Sequence, residues 1–207
     1  MKAVIFDFDG TIVDSLGAVI KVAETITKRE KPFTQEEIAE YRHLDPLQIM
    51  LALGVKKWQI PKLLVQGRRM FHDHMQEVQV HKGMADVIST LHDAGVPLFV
   101  VSSNSTSNVE KYLKWHSLET YFAGIYGGAG VLSKARKLHQ LFDEQHIDVD
   151  TSWYVGDETR DIIAAHSVGL KIISVSWGYN SRKALERKKP DRLVDKPKEI
   201  LGVLASK

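Results

Sequence analysis

Apolar positions change rhythm along this chain. Ala3 to Phe6 form an unbroken apolar run, the length of one short buried strand. Leu16, Val19, Ile20, Ala23 and Ile26 then recur at helical spacing until Pro32 stops them. From there to about His81 the pattern predicts no strand. Ile38 and Tyr41, then Leu47, Met50 and Leu51, predict two short helices parted near Asp45-Pro46. Leu64, Phe71, Met75 and Val78 mark one face of a long helix. From Gly83 onward the rhythm alternates. Apolar runs at 96–101, 125–126, 153–155 and 171–175 read as strands. Between them, helical spacing recurs at 87–91, 109–113, 133–142 and 162–165, and two short helices follow near Ala184 to Arg187 and after Pro197. Strands alternating with helices imply a parallel sheet covered on both faces. The expected fold class is therefore α/β, a Rossmann-like parallel sheet interrupted by an all-helical block. Residues 1–14 and 82–207 would form the core, and 15–81 the insertion.

Composition narrows the function more than the fold. The 207 residues are 43% hydrophobic and 26% charged, which suits one globular core with room for an insertion. The net charge of +2 is too small to argue for nucleic acid or an anionic membrane. With no cysteine there is neither a disulfide framework nor thiol chemistry. Acidic residues by position 7 interrupt the place where a signal peptide would carry its apolar core. No apolar run nears the roughly 20 residues of a membrane span. The expectation is a soluble cytoplasmic protein, monomer or homodimer. The basic run from Arg182 to Lys198 reads as a solvated face.

The chemistry collects at strand ends. Asp7 and Asp9 follow the first strand two residues apart, so on extended backbone they project to one side. Ligands of open α/β sheets sit at that end of the strands. Two carboxylates at one point call for a cation, a shared proton, or both. Ser102-Ser103-Asn104 ends the second strand, Gly156-Asp157 ends the penultimate one, Asp161 lies one helical turn on, and Lys134 opens a helix. A phosphoryl group needs a nucleophile, positive charge on its equatorial oxygens and a proton for its leaving group. These positions supply candidates for each.

The stretch DFDGTIVDS follows the pattern DxDGTxxDS, and Gly156-Asp157-Glu158-Thr159-Arg160-Asp161 follows GDxxxD. With Ser102 ending an apolar strand and Lys134 between, the chain resembles the haloacid dehalogenase-like (HAD) hydrolases, in particular phosphoglycolate-phosphatase-like members with a helical cap. The resemblance implies a Mg²⁺-dependent phosphatase acting on a small phosphorylated metabolite through an aspartyl-phosphate. Asp7 would be the nucleophile, kept ionised, and Asp9 the general acid and base. Mg²⁺ would be held by the Asp7 side chain, the Asp9 backbone carbonyl and Asp157, with Asp161 joining directly or through water. Ser102 and Lys134 would hold phosphate oxygens. Ser103 replaces Ser102 if the strand ends one residue later, and Lys137 is a rival for Lys134. A phosphomutase of the β-phosphoglucomutase type is the alternative within this chemistry. A phospho-accepting regulatory module, or a non-catalytic phosphate-binding protein, is the alternative outside it. Thr11, Asp14 and Ser15 read as turn and cap residues, Glu158 and Arg160 as solvated or behind the site, and His43 as surface. Trp58, Met70, Phe71 and Met75 read as packing within the cap.

Overall fold

The computed structural model describes residues 1–75, 77–128 and 134–205. The chain opens with β1 (Val4–Phe6) and a two-residue β2 (Val13–Asp14). Four helices follow: α1 (Leu16–Ile26), α2 (Gln35–Tyr41), α3 (Pro46–Ala52) and α4 (Ile60–His74). A second short strand, β3 (Gln79–Val80), pairs antiparallel with β2, Val13 opposite Val80. Both crossings into and out of the helical stretch thus run side by side, closed by the His81 N–H donating to Ile12 O at 2.8 Å. The remainder alternates as α5 (Met84–Asp93), β4 (Leu98–Val101), α6 (Thr106–Trp115), β5 (Gly124–Tyr126), α7 (Lys134–Gln145), β6 (Trp153–Gly156), α8 (Thr159–Ser167) and β7 (Lys171–Val175). It ends with α9 (Arg182–Arg187), β8 (Arg192–Val194) and α10 (Pro197–Ala205).

Six strands form one parallel sheet in the order β5-β4-β1-β6-β7-β8. Successive strand residues face opposite sides, and both sides are covered, so each strand reads as a continuous apolar run rather than an alternation. Val4, Phe6, Val100, Val155 and Ile173 pack on one face with Ile88 of α5, Val109 of α6 and Ile200 of α10. Ile5, Phe99, Val101, Tyr154 and Ile172 pack on the other with Leu138 and Leu141 of α7, Ile162 of α8 and Leu185 of α9. The helices between β2 and β3 are packed more loosely. Val22 is the buried residue of α1, and none is buried in α2 or α3. Their ends are nonetheless well capped: Thr34 accepts from the Glu37 N–H and Asp45 from the Gln48 N–H, each completing a capping box.

Several expectations need correction. The periodicity from Leu64 to Val78 overruns α4, which ends at His74. Met75 and Val78 instead bury against the sheet, 2% and 3% exposed. The Leu64 and Phe71 side chains lie outside the described residues. Strands β2, β3 and β8 are too short to declare a period of their own; a neighbour's register makes them strands. Trp58, expected inside the cap, is 74% exposed. The expected helix start at Ser133 lies outside the described residues. Among those residues no helix is long and apolar enough to cross a membrane. Leu141→Ala should lower the unfolding free energy by about 2–5 kcal/mol through the cavity it leaves. Val65→Ala, at an exposed position of α4, should stay within about 0.5 kcal/mol of wild type; urea denaturation checks both.

Candidate active site

The chain leaves β1 toward β4 and leaves its neighbour β6 toward β7, in opposite directions across the sheet, and a crevice forms where the two connections part. The Asp7 N–H still donates to Val155 O at 2.8 Å, so the sheet ladder itself sets where this carboxylate begins. Its Oδ1 accepts the Phe8 N–H at 2.8 Å, and its Oδ2 faces Lys134 Nζ at 2.8 Å. The same ammonium reaches Asp161 Oδ1 at 2.6 Å, while Asp161 Oδ2 accepts the Glu158 N–H at 3.0 Å. Asp157 is held on both oxygens, by the Thr11 hydroxyl at 2.8 Å and the Tyr179 N–H at 2.6 Å. Gly10 has φ +80°, and a Cβ on it would come 2.3 Å from Asp157 Oδ2. Only glycine permits both that turn and that approach.

Asp7, Asp157 and Asp161 are all buried, and each offers a carboxylate oxygen within 4.8 Å of the others. Three carboxylates against one ammonium leave two negative charges uncompensated. Burial pushes Asp7 up to about 7 against the pull of Lys134, with Asp161 and Glu158 adding to the rise. Burial, then Glu158, Asp7 and Asp161, hold Asp157 well above the usual carboxylate range. Burial alone would lower Lys134, but Asp161 and Asp7 outweigh it and its pKa is raised. A divalent cation fits this donor set: the ligands are all oxygen and the charge deficit is two.

Asp9 is placed differently. One oxygen accepts the Asn104 amide at 3.2 Å, and the other, though buried, has no hydrogen-bond partner among the described residues. Burial pushes Asp9 up to about 6, opposed by the Asn104 hydrogen bond. Burial thus holds both carboxyls above the usual carboxylate range, and the neighbouring carboxylates add to the rise at Asp7. Asp7, Asp9, Ser103, Asn104, Glu158 and Arg160 share the floor of a cavity of about 320 Å³ whose far side is α1, α2 and α3. Ser102 is fully buried, its Oγ accepting the Asn104 N–H at 3.0 Å; of the two serines, Ser103 borders the cavity. Lys137 turns away to Gln140, leaving Lys134 with the carboxylates.

Some residues do more than the sequence suggests. Thr11 makes its turn and also orients Asp157. Ser15 precedes α1 without a side-chain capping bond; its Oγ accepts the Gly10 N–H at 3.1 Å and pairs with the Tyr179 hydroxyl at 2.7 Å. Glu158 is buried and paired with Arg160, not solvated. Asn104 and the loop 176–181 carry no signal of their own in the sequence. Only the position of Asn104, next to the paired serines, could have singled it out.

Residues 4–175 match the family model described as haloacid dehalogenase-like hydrolase. The chain belongs to the haloacid dehalogenase-like hydrolases. It is an enzyme, a phosphoric monoester hydrolase of that family. It is 36% identical over 203 residues to a phosphoglycolate phosphatase of Synechococcus elongatus, covering 97% of this chain and 96% of the relative. It is 24% identical over 214 residues to the pyrophosphatase PpaX of Bacillus cereus, with 99% and 97% covered. Its structure superposes with a TM-score of 0.82 on the haloacid dehalogenase-like family protein SP0104 of Streptococcus pneumoniae, 26% identical, with 98% of each chain covered. A divalent cation at a hundredfold excess over its Kd should raise the unfolding free energy by about 2.7 kcal/mol over the value in chelator. Asp157→Asn should lose most of that gain in paired denaturation curves.

Proposed function

We propose that this HAD hydrolase is a Mg²⁺-dependent phosphatase that cleaves a small phosphomonoester of the phosphoglycolate kind through an aspartyl-phosphate on Asp7. One observation carries the reading. At the floor of the cavity, Asp7 lies within the Asp157–Asp161 carboxylate group, and beside it Asp9 has an oxygen without a hydrogen-bond partner among the described residues. The S. elongatus relative bears the phosphoglycolate phosphatase name, which makes phosphoglycolate the first substrate to try.

In the first step an Asp7 oxygen bonds to phosphorus as the ester P–O bond breaks, and Asp9 passes its proton to the departing oxygen. In the second, Asp9 takes a proton from water as that water attacks phosphorus. The P–O bond to Asp7 breaks and inorganic phosphate leaves. Lys134 offsets charge on Asp7 and on a phosphate oxygen, and the Ser103 hydroxyl, with Ser102 behind it, donates to another. Mg²⁺ would sit on the Asp7 carboxylate, the Asp9 backbone carbonyl and Asp157, with Asp161 joining directly or through water. It would supply positive charge to the transferring group. That charge would lower Asp7, which it touches, more than Asp9, so that Asp7 attacks ionised while Asp9 keeps a proton.

The helices at 15–81 act as a cap in this reading, excluding water while the acyl phosphate forms. The cap side of the cavity is mostly apolar, with Leu16, Val19, Ile20, Ile49 and Met50, and Thr27, Tyr41 and Arg42 are its polar residues. A sugar bound for phosphoryl return would find few partners there, which favours hydrolysis over a mutase. A phosphate-release screen over several dozen phosphomonoesters with Mg²⁺ tests the proposal. Asp7→Asn should abolish turnover with its circular dichroism unchanged, and Asp9→Asn should cost roughly 10²–10⁴-fold. Chelator should silence the wild type. Turnover that survives in Asp7→Asn would place the nucleophile elsewhere.

A further inference from the structure

Polar contacts tie the turn between α2 and α3 to the loop at 176–181. The Arg42 guanidinium donates from Nη2 to Gly178 O at 2.8 Å and to Ser176 O at 3.2 Å, and from Nε to Tyr179 O at 3.2 Å. Bonds return from the loop to the turn. The Ser181 N–H donates to Arg42 O at 2.7 Å, and the Asn180 amide donates to Arg42 O at 3.1 Å and Leu44 O at 2.9 Å. Ser181 Oγ pairs with His43 Nδ1 at 2.6 Å, so His43 is not an idle surface residue.

One of these bonds falls on a decisive peptide. Gly178 C=O and Tyr179 N–H belong to a single planar unit, so fixing the carbonyl fixes the N–H. The carbonyl accepts from Arg42, and the N–H donates to Asp157 Oδ2 at 2.6 Å. The glycine beside it allows this peptide many orientations. The backbone here comes close to the carboxylate, since a Cβ on Gly178 would lie 2.2 Å from the same Asp157 oxygen. Asn180, next in the loop, accepts the Thr159 N–H at 2.8 Å and so also meets the start of the helix carrying Asp161.

We propose that Arg42 is a positioning residue for the cation site. It holds the Gly178–Tyr179 peptide in the orientation that seats Asp157, and it does so only while the α2–α3 turn lies against the loop. The cation site is then complete when the helical insertion is down and loosened when it lifts. A guanidinium on a carbonyl also polarises the far N–H, which strengthens the hold on Asp157. The inference rests on the reading of Asp157 as a Mg²⁺ ligand.

Calorimetric Mg²⁺ titration of the full-length wild type, Arg42→Ala and Arg42→Lys, without substrate, tests this. Outer partners of metal ligands are worth 10–100-fold in affinity, and Arg42→Ala should raise the Mg²⁺ Kd by about tenfold. Arg42→Lys should recover part of the loss, because an ammonium can still reach one or two of the three carbonyls. In p-nitrophenyl phosphate turnover the half-saturating Mg²⁺ concentration should rise in parallel. A folded Arg42→Ala with wild-type Mg²⁺ affinity overturns the proposal, even if its KM rises, because Arg42 would then serve cap packing alone. Should Arg42→Ala not fold, His43→Ala, at an exposed position, carries the test: a weakened Mg²⁺ affinity supports the coupling and an unchanged one overturns it. A wild type that binds Mg²⁺ with this Arg42 dependence yet turns over no phosphomonoester sinks the phosphatase reading and spares the coupling. A wild type that takes up no Mg²⁺ sinks both.

Discussion

Three buried carboxylates around one lysine set the terms for everything near them. Ions taken from water into a protein interior lose several kcal/mol of solvation each, and attraction returns it only when opposite charge is well placed. Lys134 sits between Asp7 and Asp161 and satisfies one oxygen of each. Asp157 is held by hydrogen bonds instead, from Thr11 and the Tyr179 backbone. The cluster still carries more negative than positive charge; burial first, and the neighbouring carboxylates after it, raise its carboxyl pKa values. The three carboxylates of a site with this imbalance could hold a cation.

The sheet makes the cluster possible. Its central strands bury both faces in apolar packing, so the carboxyl ends of β1 and β6 lie side by side with little freedom. Asp7 and Asp157 each follow one of those ends. The helix carrying Asp161 starts straight after β6, and α7 brings Lys134 from the same face of the sheet. The helical insertion, by contrast, hangs on the β2–β3 pair, and its helices α2 and α3 bury no residue. Elements with few buried apolar contacts are the ones that move at low cost, and polar ties such as those of Arg42 form and break more readily than a packed core.

Much of this could be read in the one-dimensional pattern. The alternation after Gly83 announced a parallel sheet, and the helical spacing up to Leu51 placed the first three inserted helices. Asp7, Asp9, Asp157, Asp161 and Lys134 could be singled out because they are charged side chains close in sequence to strand ends or a helix start. What escaped has a common character. The strands β2, β3 and β8 are two or three residues long and owe their state to a partner. The end of α4 was hidden because Met75 and Val78 bury against the sheet at a spacing that mimics a continuing helix.

The sequence by itself determined the kind of fold and the candidate side chains, because hydrophobic period and charged side chains at strand ends are local properties. Only the tertiary structure decided how those side chains are held. It placed Asn104 on Asp9, turned Ser15 from a helix cap into a partner of Tyr179, buried Glu158 with Arg160, and set a backbone peptide between Arg42 and Asp157. Apart from the Glu158–Arg160 pair, only two residues apart, each of these joins residues remote in sequence or uses backbone groups that every residue possesses, so residue type and spacing alone did not announce it.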